Sequence, residues 1–217
     1  MPASVLVTDF DGTITANDFY RLAVERLLPP EALGPWQEYR NGTITHLEAL
    51  RRIFCQIQAP ECTILEVVDA MAPSPGLARA VESLRANGWH IVVASAGCRW
   101  YIDHILAAEG VDLEVHANPG CYRDGALYME APEDSPFFCA ETGVDKLAIV
   151  RFYQERGARV AYAGDGFTDV PAALAVPPAL RFARADLADS LDKRGEGYRP
   201  FSAWFEVAEA LTGETQA

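Results

Sequence analysis

Ser4-Val5-Leu6-Val7-Thr8-Asp9-Phe10-Asp11-Gly12-Thr13 is the stretch whose reading decides the fold. An apolar run long enough for one buried strand ends abruptly in two carboxylates one residue apart, followed by a glycine and a hydroxyl. Charge at the edge of an apolar layer is disfavoured unless it is paired, bound to a cation or used in chemistry. The two acids therefore ask for a role. The working assignment is Asp9 as nucleophile and Asp11 as its acid/base partner.

Working outward, the hydrophobic pattern predicts further strands over 89–95, 112–116, 159–163 and 180–183, separated by helical patterns through Leu77-Leu84, 100–108 and Leu147-Tyr153, with a terminal helix through Trp204 to Leu211. Strands alternating with helices predict an α/β chain with a Rossmann-like, mostly parallel sheet covered on both faces. The stretch between Asp18 and Met71 differs. Asn17 or Asp18 caps a helix through Phe19, Leu22, Ala23 and Leu27, and Thr45-x-x-Glu48 is a capping box ahead of Leu47, Leu50, Ile53, Phe54 and Ile57. A further helical pattern covers 61–71, and Pro73-Ser74-Pro75-Gly76 is a hinge. These features predict a small helical cap, 16–73, inserted into a core formed by 1–15 and 74–217. Asp124-Gly125 predicts a hairpin, and 131–142, with two prolines and no periodicity, reads as loop.

Half of the 217 residues are apolar, enough for one full core and a small accessory lobe. The formal net charge of -13 works against nucleic acid and anionic membrane surfaces as partners. The absence of a membrane-length apolar run or of a signal-type N-terminus makes the cytoplasm the expected location. Five cysteines, odd in number and without a C-x-x-C pair, suggest reduced thiols rather than disulfides or a zinc site. The four histidines show no ligand spacing and receive no role.

Three of the strands end in residues too polar for structural need: Asp9 and Asp11, then Ser95, then Asp165 in Gly164-Asp165-Gly166-Phe167-Thr168-Asp169. Parallel strands bring such ends to one edge, where open α/β sheets bind ligands. Lys146, at the start of the helix before the fourth strand, reaches the same edge. Asp9, Asp11 and Asp165 make a hard oxygen site suited to Mg²⁺. Ser95, the backbone N–H groups after it beginning with Ala96, and Lys146 would surround a phosphoryl group while Asp9 attacks phosphorus and Asp11 moves the proton.

All four elements, Asp9-Phe10-Asp11-Gly12-Thr13, Ser95 after an apolar strand, Lys146 and Gly164-Asp165-x-x-x-Asp169, occur in the order of the four motifs of the haloacid dehalogenase superfamily of phosphatases, which the chain resembles over essentially its whole length. The resemblance implies a helical cap inserted after the first motif and Mg²⁺-dependent hydrolysis of a small phosphorylated metabolite through an aspartyl-phosphate. It implies metal binding by the Asp9 and Asp165 side chains and the Asp11 main-chain carbonyl. Asp169 would complete the metal centre by orienting water or Lys146. The cap position resembles the phosphoserine phosphatase branch, and the run Asp9 to Asp18 together with the tail from Phe182 to Phe205 resembles methionine-salvage phosphatases. Phosphoryl transfer to an acceptor other than water, and a non-catalytic phosphate-binding module, are the alternatives. For the substrate's organic part the candidates are Asp18, Arg21, Arg51 and Arg52, with Phe19, Tyr20 and Trp36 as apolar walls.

Overall fold

A computed structural model describes residues 2–213 of the chain. Strands β1 (Ser4–Thr8), β2 (Trp89–Cys98) and β3 (Glu114–Asn118) are followed by two short antiparallel pairs, β4 (Gly120–Arg123) with β5 (Ala126–Met129) and β6 (Phe138–Cys139) with β7 (Gly143–Val144). Strands β8 (Arg159–Gly164), β9 (Arg181–Ala183) and β10 (Arg199–Pro200) complete a six-stranded parallel sheet of order β10-β9-β8-β1-β2-β3. The chain builds outward from β1 through β2 to β3, then returns to the other side of β1 to lay down β8. The carboxyl ends of β1 and β8 therefore flank the point where strand order reverses, the position at which such sheets bind ligands.

Helices α1 (Phe19–Arg26), α2 (Gly34–Arg40), α3 (His46–Phe54) and α4 (Glu61–Asp69) occupy the stretch after β1, and the chain returns to the sheet through α5 (Leu77–Ala86). Helices α6 (Arg99–Ala108), α7 (Lys146–Gln154), α8 (Val170–Leu174), α9 (Ala185–Asp192) and α10 (Trp204–Thr212) follow. Side chains alternate along β1. Leu6 enters the apolar layer shared with Leu77, Val81 and Leu84 of α5, Ile102 of α6 and Trp204 of α10. Val5 and Val7 enter the opposite layer with Ile149 and Val150 of α7, Ala172 of α8 and Leu187 of α9. All three strand residues are fully buried, and each such side chain contributes about 1.5–3 kcal/mol. The strand carrying the acidic pair is thus anchored in apolar layers on both faces.

Local signals account for much of this. Asp18 caps α1 by accepting from Arg21 N, and Thr45 caps α3 by accepting from Glu48 N at 3.2 Å. Asp124 and Gly125 both take positive φ, 52° and 84°, between β4 and β5, as a tight hairpin turn requires. The structure departs from the sequence reading in four places. The stretch expected to be loop, 131–142, contains β6, which pairs with β7 across a turn ending at Gly143. Two-residue strands are too short to leave a periodic signal. β2 runs past Ser95 to Cys98, with its register against β3 shifting between Ala94 and Cys98. β3 spans Glu114–Asn118 rather than 112–116, and the edge strand β10 consists of Arg199 and Pro200 alone.

Candidate active site

The site is built on adjacent strand ends. Thr8 lies beside Ala163 in the β1–β8 register, and Asp9 N donates to Ala163 O at 2.9 Å. The backbone then turns at Gly12, whose φ of +70° is a glycine conformation, and a Cβ at this position would collide with the Asp165 carboxylate. That close approach lets Thr13 Oγ1 donate to Asp165 Oδ1 at 2.9 Å, which ties the first strand end to the eighth.

Lys146 opens α7, is 4% exposed, and places Nζ 2.9 Å from Asp9 Oδ2 and 2.6 Å from Asp169 Oδ1. Burial opposes the ammonium, yet the Asp169 and Asp9 carboxylates outweigh it and hold the lysine above its ordinary pKa. Asp169 is saturated. Its Oδ1 accepts from Lys146 and from the Tyr162 hydroxyl at 2.6 Å, and its Oδ2 accepts from the N–H groups of Asp165 and Gly166 at 3.0 and 2.8 Å. Burial works against ionising this carboxyl, but Lys146 and the other donors prevail and keep its pKa low.

Asp9 and Asp165 are in the opposite condition. Burial, and next the Asp169 charge, push the Asp9 carboxyl well above its usual range even though Lys146 pulls it down. The same two causes raise Asp165 to about 6. Oxygens of Asp9, Asp165 and Asp169 lie within 4.8 Å of one another, so one lysine faces three carboxylates. Such a set of hard oxygen donors could hold a divalent cation. Because four donors already occupy Asp169, the lone pairs open to a cation are those of Asp9 and Asp165. Asp169 acts by holding Lys146 and the start of the 165–169 turn.

Asp11 projects to the other side of the β1 turn. Its Oδ1 accepts from Phe19 N at 3.2 Å and its Oδ2 from the Tyr101 hydroxyl at 3.1 Å, with Ser95 Oγ at 3.5 Å. Burial first, and the nearby Asp18 second, raise its pKa to about 7. A carboxyl in that range can give and take a proton near neutrality. Ser95 Oγ also accepts from Gly97 N at 2.9 Å, and a Cβ at Gly97 would meet Tyr101 and Asp11, so the 95–97 turn packs directly on Asp11.

Asp9, Asp11, Ser95, Ala96, Lys146 and Asp165 all line one cavity of about 310 Å³, together with Asp18, Arg21, Tyr20 and Trp36. Two of the predicted substrate residues are not brought there. Arg52 turns outward onto Glu48 and Glu38 at 2.7 and 3.2 Å, and Arg51 donates to Met129 O and pairs with Glu48. Helix α3 directs its apolar side inward, which leaves both guanidiniums on its outer, acidic side. Phe19 is likewise core rather than wall: it is fully buried against Tyr101, ring centroids 4.6 Å apart, and against Phe54. Sequence reasoning missed Tyr101, Tyr39 and His46, which line the cavity. It also missed Asn118, whose Nδ2 donates to Ala96 O and Thr142 O and thereby clamps the Ser95 turn to the loop before Lys146. No local pattern distinguishes these residues from core or loop.

Residues 6–174 match the model of the haloacid dehalogenase-like hydrolase family. The chain belongs to this family. Within the family, a protein of Brevibacillus brevis named 2-hydroxy-3-keto-5-methylthiopentenyl-1-phosphate phosphatase is 24% identical over 213 residues, covering 95% of this chain and 94% of that one. A protein of the same name from Microcystis aeruginosa is 27% identical over 212 residues, covering 96% and 98%. Among solved structures, a haloacid dehalogenase family hydrolase of Salmonella enterica serovar Typhi superposes with a TM-score of 0.72 at 18% identity, covering all of this chain and 72% of that one. A substrate-bound phosphoserine phosphatase superposes at 0.67 with 18% identity, covering 93% and 94%. These superpositions show that the chain has the family fold. No described helix is long and apolar enough to cross a membrane.

Proposed function

We propose that the protein is a phosphatase that hydrolyses the phosphomonoester of a small metabolite through a phosphorylated Asp9. The observation that carries this reading is the convergence of Asp9, Asp11, Lys146 and Asp165, from three separate segments, on one cavity. Asp9 Oδ attacks phosphorus, the bond from phosphorus to the leaving oxygen breaks, and Asp11 gives its proton to that oxygen. Asp11 then takes a proton from water, whose oxygen attacks phosphorus and releases phosphate and Asp9. The pKa of about 7 at Asp11 suits both halves of this cycle. Lys146, fixed between Asp9 and Asp169, holds Asp9 in place and stabilises charge on the phosphoryl oxygens, with the Ser95 hydroxyl and the Ala96 N–H as further donors. Mg²⁺ held by the Asp9 and Asp165 side chains and the Asp11 carbonyl would neutralise the phosphate charge.

In this reading 16–73 is a cap over the core of 1–15 and 74–217. The antiparallel exit and return of the chain support that division: Thr15 bridges Pro73, Ala16 N donates to Ala72 O, and Ser74 N to Ile14 O. The names of the relatives make 2-hydroxy-3-keto-5-methylthiopentenyl-1-phosphate the first metabolite to test. The decisive assay is Mg²⁺-dependent phosphate release from an aryl phosphate by wild type and Asp9→Asn. The expected loss exceeds about 10³-fold, and equal rates would exclude Asp9 as nucleophile.

A further inference from the structure

Asp9 and Asp169 share the Lys146 ammonium, whereas the Asp11 carboxylate is held by two neutral donors that come from different helices. Phe19 N, at the first residue of α1, donates to Oδ1 at 3.2 Å, and the Tyr101 hydroxyl, from the first turn of α6, donates to Oδ2 at 3.1 Å. The Ser95 hydroxyl stands farther from that second oxygen, at 3.5 Å. One donor on each oxygen fixes the plane of a carboxylate and leaves each oxygen a second lone pair for a proton. One donor alone leaves the group free to turn about its bond to Cβ.

Tyr101 is built into this place. Its ring is buried and stacks on Phe19 with centroids 4.6 Å apart and planes at 30°, and Phe19 in turn meets Phe54 edge-on at 5.4 Å. The chain leaves room for the hydroxyl at Gly97, where a Cβ would collide with both Tyr101 Oη and Asp11 Oδ2. A phenylalanine would serve the stack equally well without carrying a polar atom into the interior, which costs free energy unless a partner is met. The partner that the hydroxyl meets is Asp11.

We propose that Tyr101 is a positioning residue for the proton transfer: its hydroxyl, aimed by the stack on Phe19, turns the Asp11 carboxyl so that the proton faces the leaving oxygen; this rests on the phosphatase reading above. Tyr101 itself exchanges no proton. Asp11 gives its proton to the leaving oxygen and takes one back from water, and the hydroxyl keeps donating to Oδ2 in both states. The benefit is orientation, since a misplacement of about 1 Å at a reacting group costs about 10²-fold in rate.

The test compares phenyl phosphate with p-nitrophenyl phosphate, two esters of similar shape whose leaving groups differ in their need for a proton: phenolate departs poorly without one, whereas p-nitrophenolate departs unprotonated. In Tyr101→Phe the ring and its stack remain and the hydroxyl is lost. The kcat/KM ratio of phenyl to p-nitrophenyl phosphate is expected to fall about tenfold against wild type, with the loss on phenyl phosphate in kcat rather than KM. Phe19→Leu keeps both donors but loosens the ring that aims one of them, and is expected to lower the same ratio about threefold. A ratio in Tyr101→Phe that stays close to wild type overturns the proposal, whether both esters keep their rates or lose them equally, because a residue that only fills space acts on both alike. A loss carried by KM overturns it as well. Should Tyr101→Phe fail to fold, as judged by urea unfolding, an unmoved ratio in Phe19→Leu overturns the proposal and a lowered one supports it. A wild type that hydrolyses p-nitrophenyl phosphate but not phenyl phosphate overturns the proton-transfer role and leaves the phosphatase reading standing. No release from either ester overturns the phosphatase reading and the proposal with it.

Discussion

Replacing Lys146 by methionine keeps the length of the side chain and removes the one charge that lies between Asp9 and Asp169. Both contacts are short, 2.9 and 2.6 Å, and the lysine is 4% exposed, so water cannot take its place. Removing one partner of a buried ion pair costs about 3–5 kcal/mol. Asp169 keeps Tyr162 and two backbone N–H donors, whereas Asp9 keeps only the Phe10 N–H on its carboxylate, which points to the lower end, about 3 kcal/mol. In a chain of this size that corresponds to about 6–12 °C in Tm. The pH dependence adds a second constraint. The folded Asp9 pKa lies above its unfolded value of 3.8, and losing Lys146 raises it further. A raised carboxyl contributes stability below the unfolded pKa and loses it as pH rises through the folded one. The deficit of Lys146→Met against wild type should therefore be largest near pH 8 and shrink toward pH 5. Urea unfolding in EDTA at the two pH values measures it. A deficit below about 1 kcal/mol at pH 8, or one that grows on acidification, would refute the view that this lysine neutralises a buried acidic cluster.

Other expectations follow from single contacts. Asn118→Ala leaves the Ala96 and Thr142 carbonyls without their donor, a cost of about 1–3 kcal/mol, and should lower kcat about tenfold by loosening the Ser95 turn; steady-state kinetics beside urea unfolding separate the two effects. Gly12→Ala introduces a Cβ into the Asp165 carboxylate at a positive φ, so Mg²⁺ titration of activity should shift to higher concentration at least tenfold. Glu114 is held to about 2, first by His116 and then, against the opposing effect of burial, by His90 and Tyr153. Its contribution is complete above its unfolded value of 4.5 and is lost as pH falls toward 2, so Glu114→Gln should lower Tm at pH 7 and make little difference near pH 2. An equal loss at both pH values would contradict that assignment.

The residues that meet in the cavity were legible in the sequence because they sit where local pattern is strongest. A buried parallel strand must be apolar along its length, so acids at its end stand out, and Asp9, Asp11 and Asp165 each sit at such a boundary. The caps at Asp18 and Thr45 and the Asp124-Gly125 hairpin were readable because each side chain or backbone preference acts within a few residues. Arg51 and Arg52 show the limit: arginines on an amphipathic helix look alike whether they face a cavity or solvent, and only the packing of α3 decided that they face Glu38 and Glu48. Asn118 was invisible for a related reason, since its partners, the Ala96 and Thr142 carbonyls, are distant in sequence and carry no residue signature.

The stretch from Ser4 to Thr13 by itself determined that this chain forms a buried strand ending in an acidic pair, because hydrophobic burial and the cost of stranded charge are properties of residue type and order. Tertiary structure alone decided what surrounds each acid. Lys146 and Asp169 come from other elements to fix Asp9, Tyr101 and Ser95 reach Asp11, and the outward rotation of α3 leaves an aromatic wall with His46 where guanidiniums were expected. The direction a helical side chain faces depends on what packs against the helix, and that is settled only when distant segments meet.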